Sequence, residues 1–225
     1  MQIRDLCMSV DEETTVPPGL PEYRQGGVHR AEESDGYESD FITTTLHVGT
    51  HVDAPLHFDP EGRAIGDIGL EELVRPTKRA DVRDVSGANE EISLADVKEG
   101  LQVPLEPGDF LLVHTGWADE NLDDPGFWRD GPYYSPEIGE FVVERGARGL
   151  ITDTRIDTGE RGLPNHYTLC ENDKVIVENV VNLAGLPDEF TTWVMPIKLA
   201  RGEGAPARVF VLEEGDPAPT STGGR

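Results

Sequence analysis

The sequence predicts an α/β fold in a single domain with a mixed sheet, and three observations carry that expectation. Apolar runs with the length of buried strands recur at residues 109–114, 148–153 and 175–180. Helix signals fall between them, as expected of a sheet covered by helices. The 225-residue length suits one domain, and a chain of that size buries roughly 70–75% of its extended surface.

Residues 2–8 read as a short strand, and the acidic, proline-bearing run through Gly36 reads as a long loop without periodicity. Long loops of this kind serve as substrate lids or inter-subunit arms. His29, within it, reads as a surface residue. Residues 40–48 read as the strand that delivers the next segment, and a short helix is expected near 70–74. A strand over 78–85 precedes a helix running from the N-cap Ser93 to about Glu99. Pro107-Gly108 forms a turn into the buried strand 109–114, which ends at His114-Thr115-Gly116-Trp117. His114 fits either a pocket or a strand-end hydrogen bond. Residues 118–134 read as a second irregular segment, whose aromatics (Phe127, Trp128, Tyr133, Tyr134) suit either a pocket lining or an anchor to the core. Ser135-Pro136 opens a helix that Gly146 closes. A strand over 148–153, a helix over 164–172 and a strand over 175–180 complete a domain spanning 1–214. The Gly-, Pro-, Ser- and Thr-rich tail 215–225 is expected to be disordered.

Charge narrows the partners. With 44 acidic and 19 basic residues, the formal net charge is −25, which leaves no basic patch for nucleic acid and disfavours anionic membranes. The acids are spread along the chain, a distribution suited to a halophile's cytosol, where salt screens self-repulsion. Two cysteines, Cys7 and Cys170, fit a reducing compartment and read as small buried hydrophobes. The first residues lack a basic and then apolar leader, and no run of eighteen apolar residues occurs. A soluble, cytoplasmic protein is expected.

The chemistry concentrates in residues 46–58, LHVGTHVDAPLHF, which hold three of the six histidines. His47, His51, Asp53 and His57 share a parity and would leave one face of a strand. A straight strand would nevertheless hold His47 and His57 roughly 33 Å apart, and metal ligands must converge to about 2.0–2.2 Å from one ion. Gly49 and Pro55 are therefore read as bend points. A helix pairing His47 with His51 is disfavoured by Gly49, Thr50, Val52 and Pro55. Downstream, His166 falls in the expected helix and Glu178 in an apolar strand. An acid there is costly unless paired or coordinated, or unless it faces solvent from an edge strand.

The run His47-x-Gly49-Thr50-His51-x-Asp53-x-Pro55-x-His57-Phe58 resembles the signature of the metal-dependent cyclase family of arylformamidase-like and isatin-hydrolase-like enzymes. Thr115-Gly116-Trp117, the turn from Asp153 to Asp157, and Glu178-Asn179 extend the likeness over most of the chain. The resemblance implies a swivelling β/β/α fold and two divalent ions, zinc or manganese. His47 and His51 would hold the first, His166 the second, with Asp53 and Glu178 bridging or shared, and His57 as general acid/base. It further implies a small-molecule amide substrate and homo-oligomers, dimers or tetramers, whose N-terminal arm completes a neighbour's pocket. One departure stands out: the formamidases' tryptophan before a Pro-Gly-Asp step is replaced here, in Val16-Pro17-Pro18-Gly19-Leu20, by Pro17, and the aspartate by Leu20.

Two rival readings are set beside metal-assisted amide hydrolysis. A non-haem iron oxygenase would use His51, Asp53 and His166 as a facial triad, leaving His47, His57 and Glu178 without a role. A non-catalytic metal-binding protein would close its site with four ligands.

Overall fold

The computed structural model describes residues 2–32, 36–158 and 162–213. The tail expected to be disordered lies outside these residues. The strands are β1 (Gln2–Asp5), β2 (Arg24–His29), β3 (Ser39–Thr43), β4 (His51–Asp53), β5 (Val74–Asp81), β6 (Glu91–Ile92), β7 (Phe110–His114), β8 (Tyr133–Tyr134), β9 (Gly149–Thr152), β10 (Val175–Glu178), β11 (Glu189–Pro196) and β12 (Gly204–Glu213). The helices are α1 (Leu70–Leu73), α2 (Leu94–Gly100), α3 (Trp117–Asn121), α4 (Phe127–Asp130), α5 (Pro136–Glu144) and α6 (Pro164–Glu171).

Seven strands close into a ring, β12-β11-β5-β7-β9-β10-β4 and back to β12, with β1 added beside β12. The middle is parallel (β5, β7, β9, β10), because helical crossovers connect strands running the same way. The closing pairs are antiparallel: β4 sets Glu178 opposite His51 on one edge and Gly204 opposite Asp53 on the other. This mixed, barrel-like α/β domain is the expected fold class.

Strand alternation divides the apolar residues into two cores. Val52, Phe110, Leu112, Ile151, Val175, Val177, Ala205 and Val209 pack inside the ring. Their neighbours Leu111, Val113, Leu150 and Ile176 face outward onto Ile138, Val142 and Leu169 of the helices. Central strands buried on both faces read as continuous apolar runs, which is why they were legible. Val52 enters the ring, so His51 and Asp53 emerge on the helix-covered face, where Glu178 also stands.

Several local expectations are corrected. The strand expected at 40–48 ends at Thr43 and belongs to a hairpin with β2; the ligand-bearing strand is the three-residue β4. The loop expected over 9–36 therefore contains β2. Residues 118–134 include α3, α4 and β8, too short to show a helical period. The strand expected over 175–180 stops at Glu178, since Asn179 turns the backbone to φ +61°. Ser93 caps α2 as expected, accepting from the Asp96 amide while Asp96 returns a bond to the Ser93 amide.

Candidate active site

His47, His51, Asp53 and His57 converge because the backbone bends twice. Gly49 takes φ +57°, a conformation costly for a side chain-bearing residue, and places His47 on a turn before β4. That turn is tied to the end of β10: the Thr50 hydroxyl donates to the Asn179 carbonyl at 2.6 Å, and the Asn179 amide donates to the Gly49 carbonyl at 3.1 Å. Pro55 then opens a 3-10 turn, Pro55–His57, which returns His57 to within 4.3 Å, centroid to centroid, of the His47 ring. Gly204 of β12 leaves room for that ring: a Cβ there would lie 3.3 Å from His47 Cε1 and 2.7 Å from the Val52 carbonyl oxygen.

The other half arrives from α6 and β10. Asp157 accepts from the amides of Asn165 and His166, capping α6, and also holds His166 Nδ1 at 2.7 Å. His166 Nε2 is thereby turned to Asp53 Oδ2, 3.7 Å away. Glu178, buried at 5% exposure, faces His51 across the β10–β4 pair. β10 is an interior strand, so the edge-strand reading of Glu178 fails.

His51 Nδ1 donates to the Gly49 carbonyl at 2.9 Å, which leaves the lone pair on Nε2. That atom lies 3.5 Å from both Asp53 Oδ1 and Glu178 Oε2. Two donors bound tetrahedrally at about 2.0–2.2 Å to one ion sit roughly 3.3–3.6 Å apart. His51 Nε2 and Asp53 Oδ2 are buried without a hydrogen bond, a costly state for polar atoms. Donor atoms of His51, Asp53 and Glu178, and of His47, Asp53 and His57, form two groups of metal-ligand dimensions. A set of imidazoles and carboxylates suits a divalent cation, and the residues present fit one.

The electrostatics agree. Burial disfavours a charged His47, yet Asp53 Oδ1 at 2.8 Å and Glu203 Oε2 at 3.1 Å overcome it and raise the ring to about 10. Burial likewise opposes charge on His166, and the Asp157 hydrogen bond outweighs it, raising that pKa. Asp53 lies far below the usual carboxylate range: burial pushes it up, but the His47 hydrogen bond and surrounding imidazoles pull it down further. Protons thus sit where a cation would otherwise balance the carboxylates. His57 moves the other way, lowered by burial and by the neighbouring His47 and His166.

A cavity of about 930 Å³ opens over the cluster. Pro17, Pro18, Leu20, Trp128 and Tyr133 supply much of its less polar lining, beside the histidines and carboxylates. Trp128 fastens that lining, since its indole N–H donates to the Thr15 carbonyl at 3.2 Å. Arg155, also at the cavity, donates to the carbonyls of Trp128 and Gly131 and to the Asn89 side chain.

Two histidines stand apart. His29 is exposed at the end of β2, beside Tyr37. His114 is buried at the end of β7, lowered to about 4 chiefly by burial, near Arg79. Neither cysteine lines the cavity. Sequence reasoning missed Glu203, which lies 3.1 Å from His47 and 3.9 Å from His57 Nδ1, and the grip of Asp157 on His166. Asp157 stood in a noticed acidic turn; Glu203 had no local signal.

A protein-family model, Cyclase, matches residues 4–156. The chain belongs to the Cyclase family. Kynurenine formamidase from Bacillus anthracis is 25% identical over 209 residues, covering 92% of this chain and 95% of that protein. Isatin hydrolase A from Labrenzia aggregata, solved with benzyl benzoate, superposes with a TM-score of 0.81 at 24% identity, covering 93% of this chain and 92% of that one. A structure described as a predicted metal-dependent hydrolase, from Bacillus stearothermophilus, gives a TM-score of 0.76 at 26% identity over 93% of this chain and 97% of that one. Among the described residues, no helix is long and apolar enough to cross a membrane.

Proposed function

We propose that this enzyme hydrolyses a formamide or a cyclic amide using two divalent ions, one held by His47 and His51, the other by His166, with Asp53 and Glu178 shared. The observation that carries the reading is the pair of buried, unpartnered atoms, His51 Nε2 and Asp53 Oδ2, placed at inter-ligand distance from Glu178 and His166. When bound, such ions polarise a carbonyl and lower the pKa of a water.

The protein's own groups do the rest. His57, a quarter exposed at the cavity, is kept from charging by burial and by its histidine neighbours, so at neutral pH it is ready to accept a proton. It takes that proton from the attacking water as the C–O bond forms and delivers it to the amide nitrogen as the C–N bond breaks. Asp157 holds His166 in one tautomer and one orientation. The wall of Pro17, Leu20, Trp128 and Tyr133 packs the substrate's apolar body and excludes water from it.

Zinc is the preferred ion, with manganese the alternative. An oxygenase triad of His51, Asp53 and His166 would leave Glu178 buried opposite His51 without a task. A purely structural metal would not need the open cavity. The working form is a cytoplasmic homo-oligomer, dimer or tetramer, with no nucleic-acid or membrane partner. The β2–β3 hairpin supports this, for it exposes Val28, Phe41 and Ile42, and a lone two-stranded ribbon is marginal in water. Function in molar salt is supported by the −25 charge.

The test is metal analysis of protein purified in molar salt, followed by assays on N-formylkynurenine, simple aryl formamides and isatin. Two zinc or manganese ions per chain with turnover of any of these supports the reading. A single iron with oxygen-dependent turnover, or no bound metal, overturns it.

A further inference from the structure

The three imidazoles assigned to the ions share a construction. His51 turns Nε2 toward Asp53 and Glu178, and its Nδ1 is held from behind by the Gly49 carbonyl. His166 turns Nε2 toward Asp53, and its Nδ1 is held from behind by Asp157. His47 is rotated the other way round. Its Nδ1 faces Asp53 Oδ1 at 2.8 Å, and its far nitrogen, Nε2, meets Glu203 Oε2 at 3.1 Å. Each ring thus points one nitrogen at the shared carboxylates; an oxygen is hydrogen-bonded behind the other in His51 and His166, and behind His47 stands Glu203 Oε2, buried, without a hydrogen bond of its own and 3.1 Å from Nε2.

We infer that Glu203 is the positioning carboxylate of His47. It accepts the Nε2 proton, fixes the tautomer with the lone pair on Nδ1, and so directs that nitrogen to the first ion. This rests on the two-ion reading above. An acceptor behind a ligating imidazole sets its rotation and raises its basicity, and loss of one costs about 10- to 100-fold in metal affinity.

The fold places Glu203 there for a reason separate from its side chain. Its carbonyl accepts from the Ala54 amide at 2.9 Å, and the next residue, Gly204, pairs with Asp53 to close the ring. A carboxylate at this position is therefore delivered to the His47 ring by the same strand pairing that positions Asp53. The glycine that follows leaves room for the ring itself. Because the backbone bond does not depend on the side chain, substitution of Glu203 should spare the closure.

The experiment is a chelator-competition titration of zinc on the full chain, comparing wild type with Glu203→Gln and Glu203→Ala, with the visible spectrum of the cobalt-loaded protein read alongside. Wild type should bind two ions; if it does not, the two-ion reading fails before Glu203 is tested. Glu203→Ala should weaken one ion by about 10- to 100-fold and leave the other within about twofold. Glu203→Gln, whose amide oxygen still accepts from Nε2, should recover most of that loss with an unchanged cobalt spectrum. Unaltered affinity in Glu203→Ala overturns the inference. So does a changed cobalt spectrum in Glu203→Gln, which would make Glu203 a ligand. Equal loss of both ions with a lowered melting temperature would assign it to barrel closure instead.

Discussion

The floor of the cavity and its outer wall are built by different means. Floor residues His51, Asp53 and Glu178 stand on strands paired on both edges, and each is buried. The wall is made of short pieces outside the barrel: Pro17, Pro18 and Leu20 on the segment before β2, Trp128 in the one-turn helix α4 and Tyr133 in the two-residue strand β8, with the Trp128 indole bonded to the Thr15 carbonyl. A floor fixed by sheet register can hold donor atoms to the tolerance an ion requires. A wall of such outlying pieces can change with little cost to the fold. On the proposed function, the reaction would belong to the barrel and the choice of substrate to the wall.

The sharpest way to divide the two is within the floor itself. Replacing His57 with Ala should lower kcat by about 10²- to 10⁴-fold while metal content, read by plasma mass spectrometry, stays at the wild-type value. Loss of an ion together with turnover would move His57 from proton carrier to ligand. On the wall, Trp128→Ala should raise KM for an aryl amide about tenfold, equivalent to roughly 1.4 kcal/mol of binding, with kcat and metal content unchanged. Trp128→Phe should fall between. A kcat effect of the same size would mean that the wall also aligns the reacting group, and the division would fail.

The smallest effect is expected at a support beneath the floor. Arg63, just past the ligand segment, makes a two-bond contact with Glu72 of α1 and another with Asp173, in the turn between α6 and β10. The Arg63 guanidinium lowers Glu72 to about 2. A carboxylate whose folded pKa is depressed stabilises the fold above its unfolded value near 4.5 and loses that contribution as pH falls toward 2. The pair is partly exposed and screened, so the contribution is small. Glu72→Gln should lower the melting temperature slightly at pH 7, and the gap from wild type, followed by circular dichroism, should close between pH 4.5 and 2. A gap independent of pH would mean that the charge is not what matters there.

Legibility in the sequence follows the same division. The floor could be read because its residues break local rules: histidines crowd around Gly49 and Pro55, and Glu178 interrupts an apolar strand. The central strands could be read because both faces are buried, which leaves runs such as Phe110 to Val113 without polar interruption. Glu203 could not be read, since a lone acid between glycines has no local signal and meets His47 only through the β4–β12 pairing. Strand β2, the partner of β3 in the hairpin, was missed because its residues are mostly exposed and leave no apolar alternation. The helices α3 and α4 were missed because four or five residues span little more than one turn.

β4 also carries a kinetic consequence. It is the shortest member of the ring, and neither hydrogen-bonded neighbour comes from its own half of the chain: β10 lies on one edge and β12 on the other. Both loops must close before three residues can be held as a strand, and long-range closure is slow. The donor cluster therefore assembles late in folding. A divalent ion bound there would act on the finished barrel, slowing its unfolding far more than it speeds its formation.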